Sequence, residues 1–143
     1  MAEIMRYRTL LPAKEAEEGD KLCAGNIYIA PPNYHLLVNQ DGTLSLSQSE
    51  RVRFVRPAAN NMFESLAVSF KERAIAVVLT GRNGDGATGV QAIKKMGGTV
   101  IVQDETSCES FSMPKAAIDT GSVDFVLPLK DIAPTLIKLI MQE

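Results

Sequence analysis

Ala74-Ile75-Ala76-Val77-Val78-Leu79, followed at once by Thr80-Gly81-Arg82-Asn83-Gly84-Asp85-Gly86-Ala87-Thr88-Gly89, decides how this chain folds. The first stretch is an unbroken apolar run, the pattern of a strand buried on both faces of a parallel sheet. The second is a glycine-rich loop. From Ala87 to Met96 the apolar residues Val90, Ile93 and Met96 recur at helical spacing, and Gly97-Gly98 ends the helix. Thr99-Val100-Ile101-Val102 is the next strand. Residues 74–102 therefore predict a β-α-β unit, with parallel strands and a right-handed crossover.

Toward the C-terminus, Pro114 to Ile118 predicts a short helix with proline near its start. Phe125-Val126-Leu127 predicts a last strand. Asp131 to Met141 predicts a closing helix with Ile132, Leu136, Leu139 and Ile140 on one face. Toward the N-terminus, Arg56-Pro57 introduces a helix whose Met62, Phe63, Leu66, Ala67 and Phe70 face a core. His35 to Val38 and Thr43 to Leu46 flank Asn39-Gln40-Asp41-Gly42, a hairpin signal because glycine accepts the positive φ of the turn. Asn26 to Ala30 predicts a strand stopped by Pro31-Pro32. Thr9 to Ala13 predicts a short strand, and Lys14 to Lys21 a charged surface connection. The expected architecture is α/β: a partial doubly wound, mainly parallel sheet with a β-hairpin excursion.

Bulk properties narrow the function. A chain of 143 residues that is 45% hydrophobic suits one packed domain. Its 15 basic and 17 acidic residues give a net charge of −2, and no basic run exceeds Lys94-Lys95, so nucleic acid is not an expected partner. Cys23 and Cys108 lie in no CxxC pair and His35 is the only histidine, so a structural zinc site is not expected and the cysteines are read as reduced thiols. Met1 to Arg6 has no apolar core for a signal peptide. No apolar stretch reaches the roughly 18 residues of a membrane span. A cytoplasmic protein without membrane insertion is the expectation.

The glycine loop admits three readings. Gly84-Asp85-Gly86-Ala87-Thr88-Gly89 matches GxGxxG between a strand and a helix, and Asp104 stands where a dinucleotide site carries its ribose-binding acid. Against this, Thr80 to Asn83 separate the strand from the first glycine, and the Asp85 carboxylate would repel a pyrophosphate. In the second reading Asp85 simply N-caps the helix that follows it. In the third, Asp85 is an acid held by a rigid loop, placed to orient a histidine and stabilise an imidazolium during acyl transfer.

Several segments, in order, carry a resemblance. They are Gly19-Asp20-Lys21-Leu22, Gly25 to Pro32, His35-Leu36, Arg56-Pro57 with Met62-Phe63 and Ser65-Leu66-Ala67, Leu79-Thr80-Gly81 through Asp85-Gly86-Ala87 and Gly89, Gln103 with Glu105 and Ser107-Cys108, and Met113-Pro114-Lys115-Ala116-Ala117. Together they resemble the chemotaxis protein-glutamate methylesterase family (CheB), from about Arg8 to Met141. The resemblance implies a Ser-His-Asp triad on a doubly wound α/β sheet, no cofactor, and hydrolysis of glutamyl methyl esters, with glutamine deamidation, on the cytoplasmic domains of chemoreceptors or another protein substrate.

The position matching the triad aspartate is Asp85. The family's serine and histidine would both precede Arg8, and no residue here matches them. Residues 8–143 are accordingly expected to be the C-terminal half of the catalytic domain, with 1–7 as an extension. None of the serines sits in a GxSxG-type elbow, and no base adjoins Ser107, Ser110 or Ser112 in sequence. Gly81, Arg82, Gly84 and Gly86 are the loop and oxyanion candidates, with His35 and Met113 at the rim of the site. Two departures stand out. Ala58 and Asn60 occupy positions where the family has Ser and Asp, and Arg82-Asn83 replaces Met-Gly. Arg82 either pairs with Asp85 or meets an acidic substrate surface.

Two partners are expected: a chain carrying the missing half, and a second copy recruited through an open edge of the Ala74–Leu79 strand. The alternative functions are a non-catalytic interaction module on the same fold and a dinucleotide-binding domain.

Overall fold

The computed structural model describes residues 11–52, 55–81 and 85–141. In chain order the elements are β1 (Ala13–Glu15), β2 (Ile27–Ile29), β3 (His35–Val38), β4 (Leu44–Ser47), α1 (Ala59–Phe70), a single 3-10 turn (Lys71–Arg73), β5 (Ile75–Val78), α2 (Ala87–Lys95), β6 (Thr99–Gln103), α3 (Ser112–Asp119), β7 (Phe125–Leu127) and α4 (Leu129–Met141). β5, β6 and β7 form a parallel sheet in that order. The β-α-β unit is therefore present as the apolar run and glycine stops require.

The expectation that residues 74–79 are buried on both faces needs correction. Ala76 and Val78 are buried, but Ile75 and Val77 are only half-buried, and Leu79, beyond the strand end, is 44% exposed. The reason is position: β5 pairs with β6 alone among the described strands, and α4, the helix on the face of Ile75 and Val77, packs on β6 and β7. The strand covered on both faces is the central β6, where Val100, Ile101 and Val102 are completely buried.

Alternation along β6 separates two layers. Val100 and Val102 join Ala74, Ala76 and Val78 in a cluster with Phe63 and Ala67 of α1, Val90 and Ile93 of α2, and Ala117 of α3. Ile101 alternates with them, and α4, with Ile132 buried, packs on β6 and β7. The sheet is thus the partial doubly wound one expected.

α1 serves two cores. Phe63 and Ala67 belong to the sheet cluster, while Met62, Leu66 and Phe70 also meet a second cluster of Ala16, Leu36, Val38 and Leu44. That second cluster lies beneath the hairpin of β3 and β4, which pair antiparallel around Gly42 at φ +85°.

One strand lies elsewhere than the sequence suggests. β1 begins at Ala13, the last residue of the predicted strand, and runs on through Lys14 and Glu15 of the stretch read as a surface connection; it pairs parallel with β2, Ala13 opposite Ile27 and Glu15 opposite Ile29. Of the predicted strand, Thr9 and Leu10 lie outside the described residues. Ala-Lys-Glu has no strand propensity of its own. The pairing comes from burial of Ala13 and Ala16, which are 1% and 3% exposed. α4 begins at Leu129, two residues before its predicted start, and carries Pro134 in its interior.

Candidate functional site

Asp85 lies in the loop after β5 and is 6% exposed. Its carboxylate faces the N-terminus of α1, not that of α2. The Ala59 N–H donates to Oδ2, and the Asn60 N–H donates to Oδ1 at 3.0 Å. The N-cap of α2 is Gly86, at φ +104°, with no side-chain cap. The reading of Asp85 as the cap of its own following helix is therefore corrected. Its oxygens take up the first amides of the preceding helix, which otherwise lack partners and carry the positive end of a helix dipole.

The N-terminus of α2 is served in return. Asn60 Oδ1 accepts from the Gly86 N–H at 3.0 Å and the Gly89 N–H at 2.8 Å. These are amides that a dinucleotide pyrophosphate would need, and Asn60 already occupies them. Asp104, the ribose-binding candidate, accepts from the Ser107 hydroxyl at 2.6 Å and the Ser107 N–H at 3.1 Å. The Ser107 hydroxyl holds its carboxyl below the usual carboxylate range. Both features count against nucleotide binding.

A cavity of about 290 Å³ adjoins Asp85, lined also by Ala30, Leu36, Pro57, Ala58, Ala59 and Met62. Its wall is otherwise apolar, so a carboxylate in it acts in surroundings that screen charge weakly.

His35 is not at the rim. It is completely buried. Its Nδ1 accepts from the Ala58 N–H at 3.1 Å, and its Nε2 lies 2.8 Å from the Glu50 carbonyl oxygen. An amide can only donate and a carbonyl only accept, so the ring hydrogen sits on Nε2. With both nitrogens engaged, His35 is a pillar that fixes the segment entering α1. Arg56 braces the same segment through the Gln48 and Ser49 carbonyls and Asn33 Oδ1.

Gly81 donates its N–H to the Ser110 carbonyl and accepts from the Met113 N–H, each at 3.0 Å. A Cβ at Gly81 would meet Met113 Sδ at 2.9 Å, and one at Gly86 would meet Met113 Cε at 3.6 Å. Met113 therefore packs over the loop, while the amides of Gly81 and Gly86 are both engaged with internal acceptors. Arg82 and Gly84 lie outside the described residues.

Sequence reasoning missed the roles of Asn60 and Gln103. Gln103 is 2% exposed, accepts from the Thr80 N–H at 2.9 Å, and donates to the Ser107 carbonyl at 2.7 Å, so it ties the loop after β5 to the loop after β6. Its signals were a polar residue after the apolar Val100 to Val102 and its place in the motif with Glu105 and Ser107-Cys108. Cys108 lies on the same segment, where burial pushes its thiol above the ordinary value, partly offset by the Thr80 hydroxyl. Among the described residues, no group of three or more His, Cys, Asp or Glu is placed to hold a metal ion. None of the described helices is long and apolar enough to cross a membrane.

Comparison with known proteins bears on this arrangement. The family described as CheB methylesterase matches residues 1–136. A protein of Leptospira interrogans is 47% identical over 126 residues, which cover 88% of this chain and 65% of that protein. The protein-glutamate methylesterase/protein-glutamine glutaminase of Pyrococcus abyssi is 44% identical over 133 residues, covering 91% of this chain and 36% of that one. The crystal structure of the Thermotoga maritima CheB methylesterase catalytic domain superposes with a TM-score of 0.92 at 39% identity. That match covers 96% of this chain and 75% of the solved one.

Proposed function

This chain belongs to the CheB methylesterase family, and on that premise we propose that it contributes the orienting aspartate, Asp85, to a protein-glutamate methylesterase. The serine and histidine come from polypeptide beyond these 143 residues, on the same chain or on another. The observation that carries this reading is the near-complete burial of Asp85 against an apolar cavity, with its carboxylate fixed on the first two amides of α1.

A carboxylate so held can keep a neighbouring imidazole in one tautomer and stabilise its protonated form. The imidazole takes the serine proton as the hydroxyl attacks the glutamyl ester carbonyl. It returns that proton to the departing methoxide oxygen as the ester C–O bond breaks, which leaves acyl-serine and frees methanol. Water then attacks the acyl-serine with the same base and releases the glutamate carboxyl. With a glutamine substrate the leaving group is ammonia. The substrate is the cytoplasmic domain of a chemoreceptor. The only histidine of the present sequence cannot act as the base, because both its nitrogens are bonded within the fold.

The apolar cavity and the one-sided pairing of β5 support a docking role for missing polypeptide, or self-association through β5, which sedimentation velocity would report. The test mixes this chain with a polypeptide carrying the serine- and histidine-bearing segment of a family catalytic domain, and measures methanol release from methylated receptor. Recovery that disappears with Asp85→Ala supports the reading. A complex that forms normally and releases no methanol replaces it with a non-catalytic interaction module.

A further inference from the structure

We propose that Asn60 is the positioning residue for Asp85, holding both the backbone and the carboxylate of the acid in one closed hydrogen-bonded ring. The ring has two arms. The Asn60 N–H donates to Asp85 Oδ1 at 3.0 Å. The Asn60 side chain then accepts from the N–H of Gly86, the residue next to Asp85, at 3.0 Å. A third bond, from the Gly89 N–H at 2.8 Å, ties the same oxygen to the first turn of α2. The residue that receives the carboxylate on its backbone thus grips the loop that carries the carboxylate.

Packing gives the ring its rigidity. A Cβ at Gly89 would lie 2.6 Å from Phe63 Cβ and 3.2 Å from Asn60 Cα, so α1 and α2 meet at backbone distance beside the ring. Two helix N-termini converge there. α1 presents its amides to a charged oxygen, Asp85, and α2 presents its amides to a neutral one, Asn60. With Asn60 removed, Asp85 keeps its α1 partners only if the loop holds its place unaided.

Asn60 also stands where the family pattern has an acid. Asn60→Asp retains an acceptor oxygen at the same place, whereas Asn60→Ala retains none. This contrast separates positioning from a general loss of stability. The functional consequence rests on the reading of Asp85 as an orienting acid, but the geometric claim is testable without it.

The experiment uses amide NMR on the full chain. A backbone N–H bonded to a carboxylate resonates far downfield, so the Ala59 amide reports directly on Asp85. In Asn60→Ala, the Gly86 and Gly89 amides should exchange with solvent on the order of tenfold faster. The Ala59 resonance should move to its position in Asp85→Ala, and Asn60→Asp should restore both. An Ala59 resonance unchanged in a folded Asn60→Ala overturns the proposal. Should Asn60→Ala not fold, Asn60→Ser, too short to reach both amides, carries the same comparison. In the chain reconstituted for hydrolysis, Asn60→Ala should lower kcat with KM unchanged, with recovery in Asn60→Asp. If the unsubstituted pair hydrolyses nothing, the functional reading fails while the Ala59 resonance still decides the placement.

Discussion

Replacing Gly89 by alanine should destabilise the protein, although alanine favours helix and glycine does not. The new Cβ would lie 2.6 Å from Phe63 Cβ, 3.0 Å from Phe63 Cδ2 and 3.2 Å from Asn60 Cα. Non-bonded carbons rest about 3.5–4.0 Å apart, so α1 and α2 must separate by about 1 Å or Phe63 must leave its place. Phe63 is 6% exposed within the sheet cluster, and Asn60 Cα is backbone, so neither yields easily. Overpacking of this kind costs about 1–3 kcal/mol. Separation also strains the 2.8 Å bond from the residue 89 N–H to Asn60 Oδ1, worth about 1 kcal/mol. The opposing gain in helix propensity is at most about 1 kcal/mol, and smaller in a first turn.

The net loss is therefore about 1–3 kcal/mol. For a domain of this size it lowers Tm by roughly 4–12 °C. Thermal and urea unfolding followed by circular dichroism measure it, with an unchanged urea m-value confirming that both states keep their compactness. A Tm equal to or above that of the parent would refute the close approach of the two helices, and with it the ring built around Asn60.

Asp85→Ala should cost about 1–3 kcal/mol of stability, since it strips the Ala59 and Asn60 amides of their cap; urea titration showing no loss would mean that the carboxylate does not hold α1. His35→Phe should cost about 2–4 kcal/mol because it leaves the Ala58 amide without its acceptor, and a loss below about 0.5 kcal/mol would remove His35 from its role as a pillar. Asp104 has its folded value depressed below 3.8, first by the Ser107 hydroxyl. Its stabilising effect is therefore present above the unfolded carboxylate value and fades as pH falls through the folded one. The stability gap between the parent and Asp104→Asn should close on acidification below about pH 3.8, and a gap that stays constant from pH 6 to pH 3 would contradict that assignment.

Much of the architecture was legible from residue order because its signals are local. The apolar run from Ala74 to Leu79, the glycine stops at Gly97 and Gly98, and the Asp-Gly turn each determine backbone conformation within a few residues, and the strand Ile75–Val78, the end of α2 and the hairpin appear where the pattern puts them. The family was equally legible, because ordered motifs survive as strings. The two exceptions in the fold have a common cause. β1 forms because β2 is there to pair with it, and one face of β5 stays half-covered because α4 packs on β6 and β7.

What sequence alone determined, then, is the β-α-β frame, the hairpin and the loop that bears Asp85. Tertiary structure decided which helix that carboxylate serves, that His35 is a buried pillar with both nitrogens engaged, and that Asn60 answers Asp85 across the α1–α2 contact. The physical reason is range. Helix stops and turns act between neighbours in the chain, whereas Asn60 and Gly86 are 26 positions apart and meet only after two helices pack at Gly89.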